Sequence, residues 1–163
     1  MISAYGSGFD ADPTLNHKAF LKYIELNEGT KRHLLAIGGA GSLFTDSTHT
    51  TYCHETPEHP DFLREISKNI KLGIDELKKT SNVNWTVVCP SSFFDSEGAL
   101  TGNYEIGTEE QVIFNEVGES RVTYEDLAMA MLDIAEADNY NQKQITVLTK
   151  QKHIKICRIF LKN

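Results

Sequence analysis

Several common features are absent from this chain. No apolar run approaches the ~20 residues that a membrane-spanning helix needs, and no signal peptide opens the sequence. Cysteine is scarce: Cys53, Cys89 and Cys157 are widely spaced and odd in number, which favours a reducing, cytoplasmic location over a disulfide framework. The net charge of −7 lacks the basic excess that general nucleic-acid binding requires. We therefore expect a cytoplasmic protein that binds neither membranes nor nucleic acids.

The chain is long enough for one domain with a single core. It has 163 residues, of which 40% are hydrophobic, so a packed fold is expected. The charge is unevenly distributed, because residues 150–163 carry five Lys or Arg and no acid, whereas the remainder has 11 basic and 23 acidic residues, a net charge of −12. We expect 1–149 to form the domain and 150–163 a basic tail, for which a strand, a basic amphipathic segment and a disordered end stay open.

Short apolar segments alternate with amphipathic ones along the chain, and this alternation predicts an α/β domain with a mainly parallel sheet. Strands are predicted at 1–5, 34–37, 85–89 and 144–148, with a short hairpin of 104–106 and 112–114. Helices are predicted at 13–27, at 61–80 and from Thr123, with Asp12 and Thr123 as N-caps. Their expected apolar faces are Leu15, Phe20, Leu21, Tyr23 and Ile24, then Phe62, Ile66, Ile70, Ile74 and Leu77, then Leu127, Met131 and Ile134.

The segment LLAIGGAGSL, residues 34–43, is an apolar strand that breaks into a glycine-rich turn. Nucleotide sites form where buried parallel strands end. The pyrophosphate fingerprint is G-x-G-x-x-G at the start of a helix. Gly39 and Gly41 could supply its first two glycines, but Phe44 stands at the third position and the polar stretch that follows has no helical period. No other stretch of the chain matches this fingerprint, so the turn is not a pyrophosphate loop.

The order of several segments resembles a known family. ISAYGSGFDADP, RHLLAIGGAGSL, NWTVVCPSSFF, TGNYEIG and SRVTYEDLAMAMLD follow one another as in the C-terminal two-thirds of atypical short-chain dehydrogenases/reductases, above all NAD(P)H-binding, NmrA-like proteins of the NADH-flavin reductase type. The resemblance covers 2–149 and implies a partial, doubly wound Rossmann-like sheet with flanking helices. It also implies a truncated member, since the N-terminal βαβ half and its glycine-rich cofactor motif are missing. Binding of NADP or NAD is therefore expected to be weak or absent.

The resemblance implies which residues would face the cofactor in an intact protein. The end of the first strand, at Ala4, Tyr5 and Gly6, would lie against the adenosine side. Gly39 ends the second strand on the substrate-facing side of the sheet. The loop after the third strand would pass the nicotinamide end, and its residues are Pro90, Ser91 and Phe93.

Ser42 is the one weak candidate for a catalytic residue. In active members of the wider family a Ser or Thr near this point hydrogen-bonds the substrate carbonyl, while a Tyr-x-x-x-Lys pair donates the proton. No tyrosine of this chain is followed by a lysine four residues later, so a general acid for carbonyl reduction is missing. A turn residue is therefore the simpler interpretation of Ser42.

The loop 49–59 contains residue types that bind metals, namely His49, Cys53, His54, Glu55 and His59. Their spacing fits no closed zinc pattern. We expect a flexible substrate-side loop rather than a metal site. Cys89, at a strand end, is most simply a small core residue.

Three functional interpretations follow from the resemblance. In the first, intact relatives pass a hydride from the nicotinamide to a flavin or quinone-like acceptor, and this chain retains an impaired form of that activity. In the second, the chain is a non-enzymatic dinucleotide sensor or partner-binding module. In the third it has no independent function, and its exposed first strand pairs two copies into a homo-oligomer.

Overall fold

The computed structural model describes residues 1–137 and 139–150. Its seven strands are β1 (Ile2–Ser3), β2 (His33–Ile37), β3 (Asn84–Pro90), β4 (Phe93–Asp95), β5 (Tyr104–Gly107), β6 (Arg121–Thr123) and β7 (Lys143–Thr149). Its three α-helices are α1 (Thr14–Asn27), α2 (Asp61–Lys78) and α3 (Tyr124–Ala137). Single turns of 3₁₀-helix lie at Ala40–Ser42 and Cys53–Glu55. The interpretations of the basic tail fall on 151–163, outside the described residues.

Five strands form one sheet in the order β1-β2-β3-β7-β5. The first four are parallel and β5 runs antiparallel to β7. The predicted α/β fold with a mainly parallel sheet is therefore confirmed. The parallel strands end along one margin, at Ser3, Ile37, Pro90 and Thr149, which we call the carboxyl edge. Among the described residues, strand β1 pairs only with β2. It is therefore an edge strand, as the sequence predicts.

The predicted hairpin of 104–106 and 112–114 is wrong. Tyr104–Gly107 pairs instead with β7, from Tyr104 opposite Thr149 to Gly107 opposite Thr146. The amide of Val112 donates to the carbonyl of Phe44, 2.9 Å away. Strand β7 has seven residues, nearly all of them buried. Pairing with this strand is therefore favoured over pairing with residues 112–114, although β7 is more distant in sequence. The parallel pair of β4 and β6 was not anticipated from the sequence.

The core has two halves, one on each face of the sheet. Helices α1 and α2 cover the face that carries Leu34, Trp85 and Val87. Helix α3 covers the other face, and its predicted stripe of Leu127, Met131 and Ile134 is buried as expected. The predicted cap is also confirmed, because the Thr123 hydroxyl accepts the amide hydrogen of Asp126 at 3.0 Å.

The apolar face predicted for α1 is partly wrong. Phe20 is buried and Tyr23 and Ile24 are half-buried against the core, but Leu15 and Leu21 are 37% and 44% exposed. The buried stripe of α1 runs instead through two asparagines, Asn16 and Asn27. The side-chain NH2 of Asn27 donates to the Tyr23 carbonyl at 2.7 Å, whereas its buried Oδ1 has no hydrogen-bond partner among the described residues. Hydrophobicity alone cannot select a stripe that includes hydrogen-bonded polar residues.

The first turn of α2 also departs from the expectation. Phe62 is 67% exposed, whereas Ile74 and Leu77 further along the helix are buried. Phe62 lies beyond the sheet and meets Phe9 edge-to-face, with 5.7 Å between ring centroids. Both exposed rings therefore belong to the surface near the carboxyl edge.

Candidate cofactor site at the carboxyl edge

The first predicted group of cofactor residues follows β1. Ala4, Tyr5 and Gly6 are exposed, and the space where a side chain of Gly6 would lie is open to 4 Å. The next turn is fixed to α1 by Asn16, which accepts the Ser7 amide at 3.2 Å and donates to the Ser7 hydroxyl at 2.8 Å. This strand end can be approached closely by a ligand, and the chain beside it is held in place.

The glycine turn follows β2, the neighbouring strand. The Gly38 amide donates to Val88 at 2.9 Å, and a Cβ at Gly38 would lie 2.7 Å from the Cys89 sulfur. Gly38 is therefore required for packing against β3. Gly39 is half-buried, and a Cβ there would meet only the end of Ile70, at 3.4 Å.

The third predicted group ends β3. Pro90 is buried, and Ser91 is 1% exposed because its hydroxyl donates to the Val147 carbonyl at 2.6 Å. Ser91 therefore offers neither its side chain nor its backbone to a ligand, whereas the next residue, Ser92, is exposed. Phe93 is 60% exposed at the start of β4. Since β1, β2 and β3 are adjacent, the three predicted groups occupy consecutive strand ends of one edge.

Ser42 lies inside the protein rather than at this edge. It is 2% exposed, and its hydroxyl donates to the Gly39 carbonyl at 2.7 Å. The same hydroxyl accepts the side-chain amide of Gln144 at 3.0 Å and lies 3.6 Å from the Cys89 sulfur. This network joins the glycine turn to β3 and β7, which favours the turn-residue interpretation.

We expect Ser42→Ala to lower the free energy of unfolding by about 1 kcal/mol, the usual net value of such a hydrogen bond. NADPH oxidation by the variant, followed at 340 nm with a flavin acceptor, should stay within about twofold of the parent chain, since a buried hydroxyl reaches no substrate. Urea denaturation measures the first quantity. A large loss of turnover at unchanged stability would instead assign Ser42 a catalytic role.

The His- and Cys-containing loop is tied to its surroundings. The guanidinium of Arg64 donates to the carbonyls of His54, Thr56 and His59. The buried ring of His54 donates through Nδ1 to Gly41, at 2.8 Å. Within 1–137 and 139–150 no group of three or more His, Cys, Asp or Glu side chains could hold a metal ion. The loop is thus a bonded surface segment, which does not match the flexible substrate-side loop expected from its composition.

Both described thiols are unsuited to nucleophilic chemistry. Burial raises the pKa of Cys53 to about 11. Burial also raises the pKa of Cys89, which is fully enclosed by the core. A thiolate is the reactive form of cysteine, so neither residue supplies a nucleophile at neutral pH, and Cys89 is the core residue that the sequence suggested.

Two acidic anchors were missed by the sequence analysis. Asp126 is completely buried and accepts hydrogen bonds from the Thr101 and Gly102 amides and from the Thr101 and Thr149 hydroxyls. The Asp95 carboxylate accepts from Nε of Arg121 at 2.9 Å and from a second guanidinium nitrogen, which joins β4 to β6. These hydrogen bonds from Arg121 hold the pKa of Asp95 below its usual value. The partners are far apart in sequence, so no local motif reveals them.

The fit of a dinucleotide to this edge is partial. The end of β1 is exposed and Gly39 after β2 is half-buried, as the approach of an adenosine ring requires, whereas the end of β3 is buried at Pro90 and Ser91. The helices that start at this edge, α1, α2 and α3, carry acids instead of glycines at or just before their first turns. Asp12 precedes α1 and accepts the amide of Thr14 at 2.9 Å, and Asp61 opens α2. Hydrogen bonds from Thr14 lower the pKa of Asp12, so its negative charge opposes a phosphate at the helix N-terminus, where anions otherwise bind.

Among the described residues, no helix combines the length and the apolar character needed to cross a membrane.

The chain was compared with protein-family models, with known sequences and with solved structures. No protein-family model matches it. It is 36% identical over 125 residues to the uncharacterized protein YwnB of Bacillus subtilis strain 168, which covers 77% of this chain and 58% of YwnB. The chain therefore spans little more than half the length of that relative.

Solved structures extend the comparison. A Streptococcus pneumoniae TIGR4 protein described as a "putative NADH-flavin reductase" shares 35% identity and superposes with a TM-score of 0.85, over 91% of this chain and 70% of the other. A "putative epimerase" of Bacteroides thetaiotaomicron shares 28% identity with a TM-score of 0.67, over 75% of this chain and 55% of the other. The first match joins substantial identity to a common fold over most of both chains. The chain therefore belongs to the family of NADH-flavin reductase-like proteins with a Rossmann-like α/β fold.

Proposed function

We propose that this chain is an NAD(P)H-binding, oxidoreductase-like protein that passes a hydride from the nicotinamide to a flavin or quinone-like acceptor. The observation that carries the proposal is the alignment of three neighbouring strand ends, those of β1, β2 and β3, along one edge. The family relationship to the streptococcal protein supports the same activity. Ligands of open α/β sheets bind outside the carboxyl ends of the strands, which is where these residues lie.

The cofactor would contact consecutive strand ends. Ala4, Tyr5 and Gly6 would lie against its adenosine side, Gly39 beside its middle, and the loop that begins at Pro90 beside its nicotinamide. The exposed residues Ser92 and Phe93 are the groups that this loop offers. NAD(P)H would supply a hydride and thereby become NAD(P)⁺, and the oxidised acceptor would take up that hydride with one proton from solvent. The protein's part is to position the two partners and exclude water.

We further propose that the activity is impaired. The sequence contains no G-x-G-x-x-G fingerprint, and the three helices that start at the carboxyl edge carry acids at or just before their first turns. Within residues 1–137 and 139–150, these helix N-termini therefore do not favour the pyrophosphate of the cofactor. The preference between NADP and NAD stays open, and a cytoplasmic location remains a prediction from cysteine content.

A titration of NADPH fluorescence tests this proposal. We expect no saturable binding in the micromolar range and slow NADPH oxidation when NADPH is millimolar and riboflavin or menadione is the acceptor. Micromolar saturable binding would contradict the impaired site. Complete absence of turnover at millimolar NADPH would contradict the oxidoreductase activity.

The alternative of a dinucleotide sensor or partner-binding module has one observation in its favour. The Ser42 hydroxyl, the weak catalytic candidate, is already engaged by Gly39 and Gln144. A sensor would bind NADPH without consuming it, so the turnover assay separates the two proposals.

A further inference from the structure

Two histidines of the loop 49–59 contact the glycine turn that follows β2. The His54 ring donates through Nδ1 to the Gly41 carbonyl, at 2.8 Å. The His59 ring lies against the same glycine, since a Cβ at Gly41 would be 2.9 Å from the Cε1 atom of His59. We propose that His59 is the proton donor to the acceptor that the nicotinamide reduces. This inference rests on the proposed function and adds to it the group through which the proton reaches the acceptor.

The position of His59 is the first argument. His59 stands two residues before α2, which starts at the carboxyl edge. Gly41, which its ring contacts, is two residues beyond Gly39, and we place Gly39 beside the middle of the cofactor. The His59 ring is half-buried and therefore keeps a surface that a ligand can reach, whereas Ser42 in the same turn is 2% exposed. The imidazole thus borders the edge at which hydride transfer would occur.

The fixed orientation of the ring is the second argument. Nε2 of His59 lies 3.0 Å from the hydroxyl of Ser67 in α2, and Ser67 is 6% exposed. A Cβ at Gly41 would overlap the Ser67 hydroxyl, so the glycine makes room for this pair. The backbone is held as well, because the His59 carbonyl accepts a hydrogen bond from Arg64 at 3.0 Å. The ring is therefore positioned before any ligand arrives, as a proton donor must be.

The charges around the ring are the third argument. Burial lowers the pKa of His59, and the neighbouring Arg64 and His54 lower it further, against a backbone hydrogen bond at Leu63 that raises it. Arg64 is itself bonded to the Asp61 carboxylate, at 3.2 Å, and the glycine turn carries no charged side chain. A histidine that titrates somewhat below its usual pKa of ~6.5 gives up its proton readily and regains one from solvent in mildly acidic solution.

The proton step completes the reduction. The hydride carries both electrons, so NAD(P)H becomes NAD(P)⁺ and the acceptor becomes an anion. A proton then passes from the imidazolium of His59 to that anion, which breaks one N–H bond of the ring and forms one O–H or N–H bond on the acceptor. Solvent returns the proton to the imidazole. The Ser67 hydroxyl only orients the ring in this step, so Ser67 is a positioning residue.

The pH dependence of NADPH oxidation tests the inference, with menadione as the acceptor and an enzyme-free blank at each pH. In the parent chain, kcat/KM for menadione should rise as the pH falls through the pKa of His59, below ~6.5, because the donor becomes protonated. His59→Gln should lower kcat/KM about a hundredfold and remove this rise. Ser67→Ala should keep the rise but lower kcat/KM about fivefold, the value of one hydrogen bond. His49→Gln is the matched control, because His49 is an exposed histidine of the same loop; it should leave the profile unchanged.

The possible results separate this role from the proposed activity. A parent profile without the rise in acid, an unchanged profile in His59→Gln, or equal losses in His59→Gln and His49→Gln would overturn the role of His59 and leave the oxidoreductase activity in place. Absence of NADPH oxidation by the parent chain at every pH would overturn the proposed function and the proton step with it. Urea denaturation shows whether each variant folds, and the parent profile decides between rise and no rise even where His59→Gln does not fold.

Discussion

Asp126→Ala is expected to lower the free energy of unfolding by about 3 kcal/mol, because it leaves several buried donors without their charged acceptor. The carboxylate joins α3 to two other parts of the chain, through the amides of Thr101 and Gly102 and through the hydroxyl of Thr149 at the end of β7. Urea denaturation measures the loss. Glu125→Ala is the matched control, since Glu125 is exposed on the same turn of α3. Equal effects of the two substitutions would contradict the assigned role.

The same residue predicts a pH dependence. Burial on its own raises the pKa of Asp126, but hydrogen bonds from Thr149, Thr101 and Gly102 outweigh it, so the pKa lies below its ordinary value. A carboxylate with a lowered pKa adds stability that is fully present above the unfolded pKa of about 3.9 and is lost as pH falls through the folded pKa. The stability difference between the parent chain and Asp126→Ala should therefore be constant near neutrality and shrink in acid below about pH 4.

The sequence predicted those elements whose signals are local. The parallel strands β2, β3 and β7 and the helix α3 were placed within one or two residues, because each combines an apolar run or stripe with a clear stop or cap. The role of Thr123 as a cap was visible for the same reason. The role of Asp126 as a buried anchor for 101–102 and Thr149 depends on contacts across more than 20 residues, so no local sequence pattern reveals it.

The errors share this cause. The sequence of residues 104–106 and 112–114 is typical of a hairpin, but β5 pairs with the longer strand β7 instead. Because β7 is distant in sequence, no local pattern reveals this pairing. The candidate cofactor groups at Ala4, Gly39 and Pro90 were placed on strand ends by the resemblance, and the structure shows those ends to be neighbours. It also shows that the hydroxyls of Ser42 and Ser91 point into the protein, a distinction that no sequence pattern makes.

Gly73→Ala is expected to destabilise the chain by about 2 kcal/mol, although alanine usually stabilises a helix interior by about 1 kcal/mol relative to glycine. A Cβ at Gly73 in α2 would lie 2.5 Å from the Cβ of Phe20 in α1 and 2.6 Å from its ring. Those atoms are close to the backbone and cannot rotate away, so α1 and α2 must separate, and overpacking of this kind costs about 1–3 kcal/mol. Chemical denaturation of the variant measures the change, and an increase in stability would show that the helices accommodate the methyl group.

A series at Gly73 separates packing from helix propensity. If close approach of the helices dominates, stability should fall steadily from Gly73→Ala to Gly73→Ser to Gly73→Val, whereas exposed Lys68→Ala on the same helix should change little. Combining Gly73→Ala with Phe20→Ala should cost less than the sum of the two single changes, since the ring that the new methyl group meets is gone. Strict additivity would instead mean that the cost of the new methyl group does not arise from its contact with the Phe20 ring.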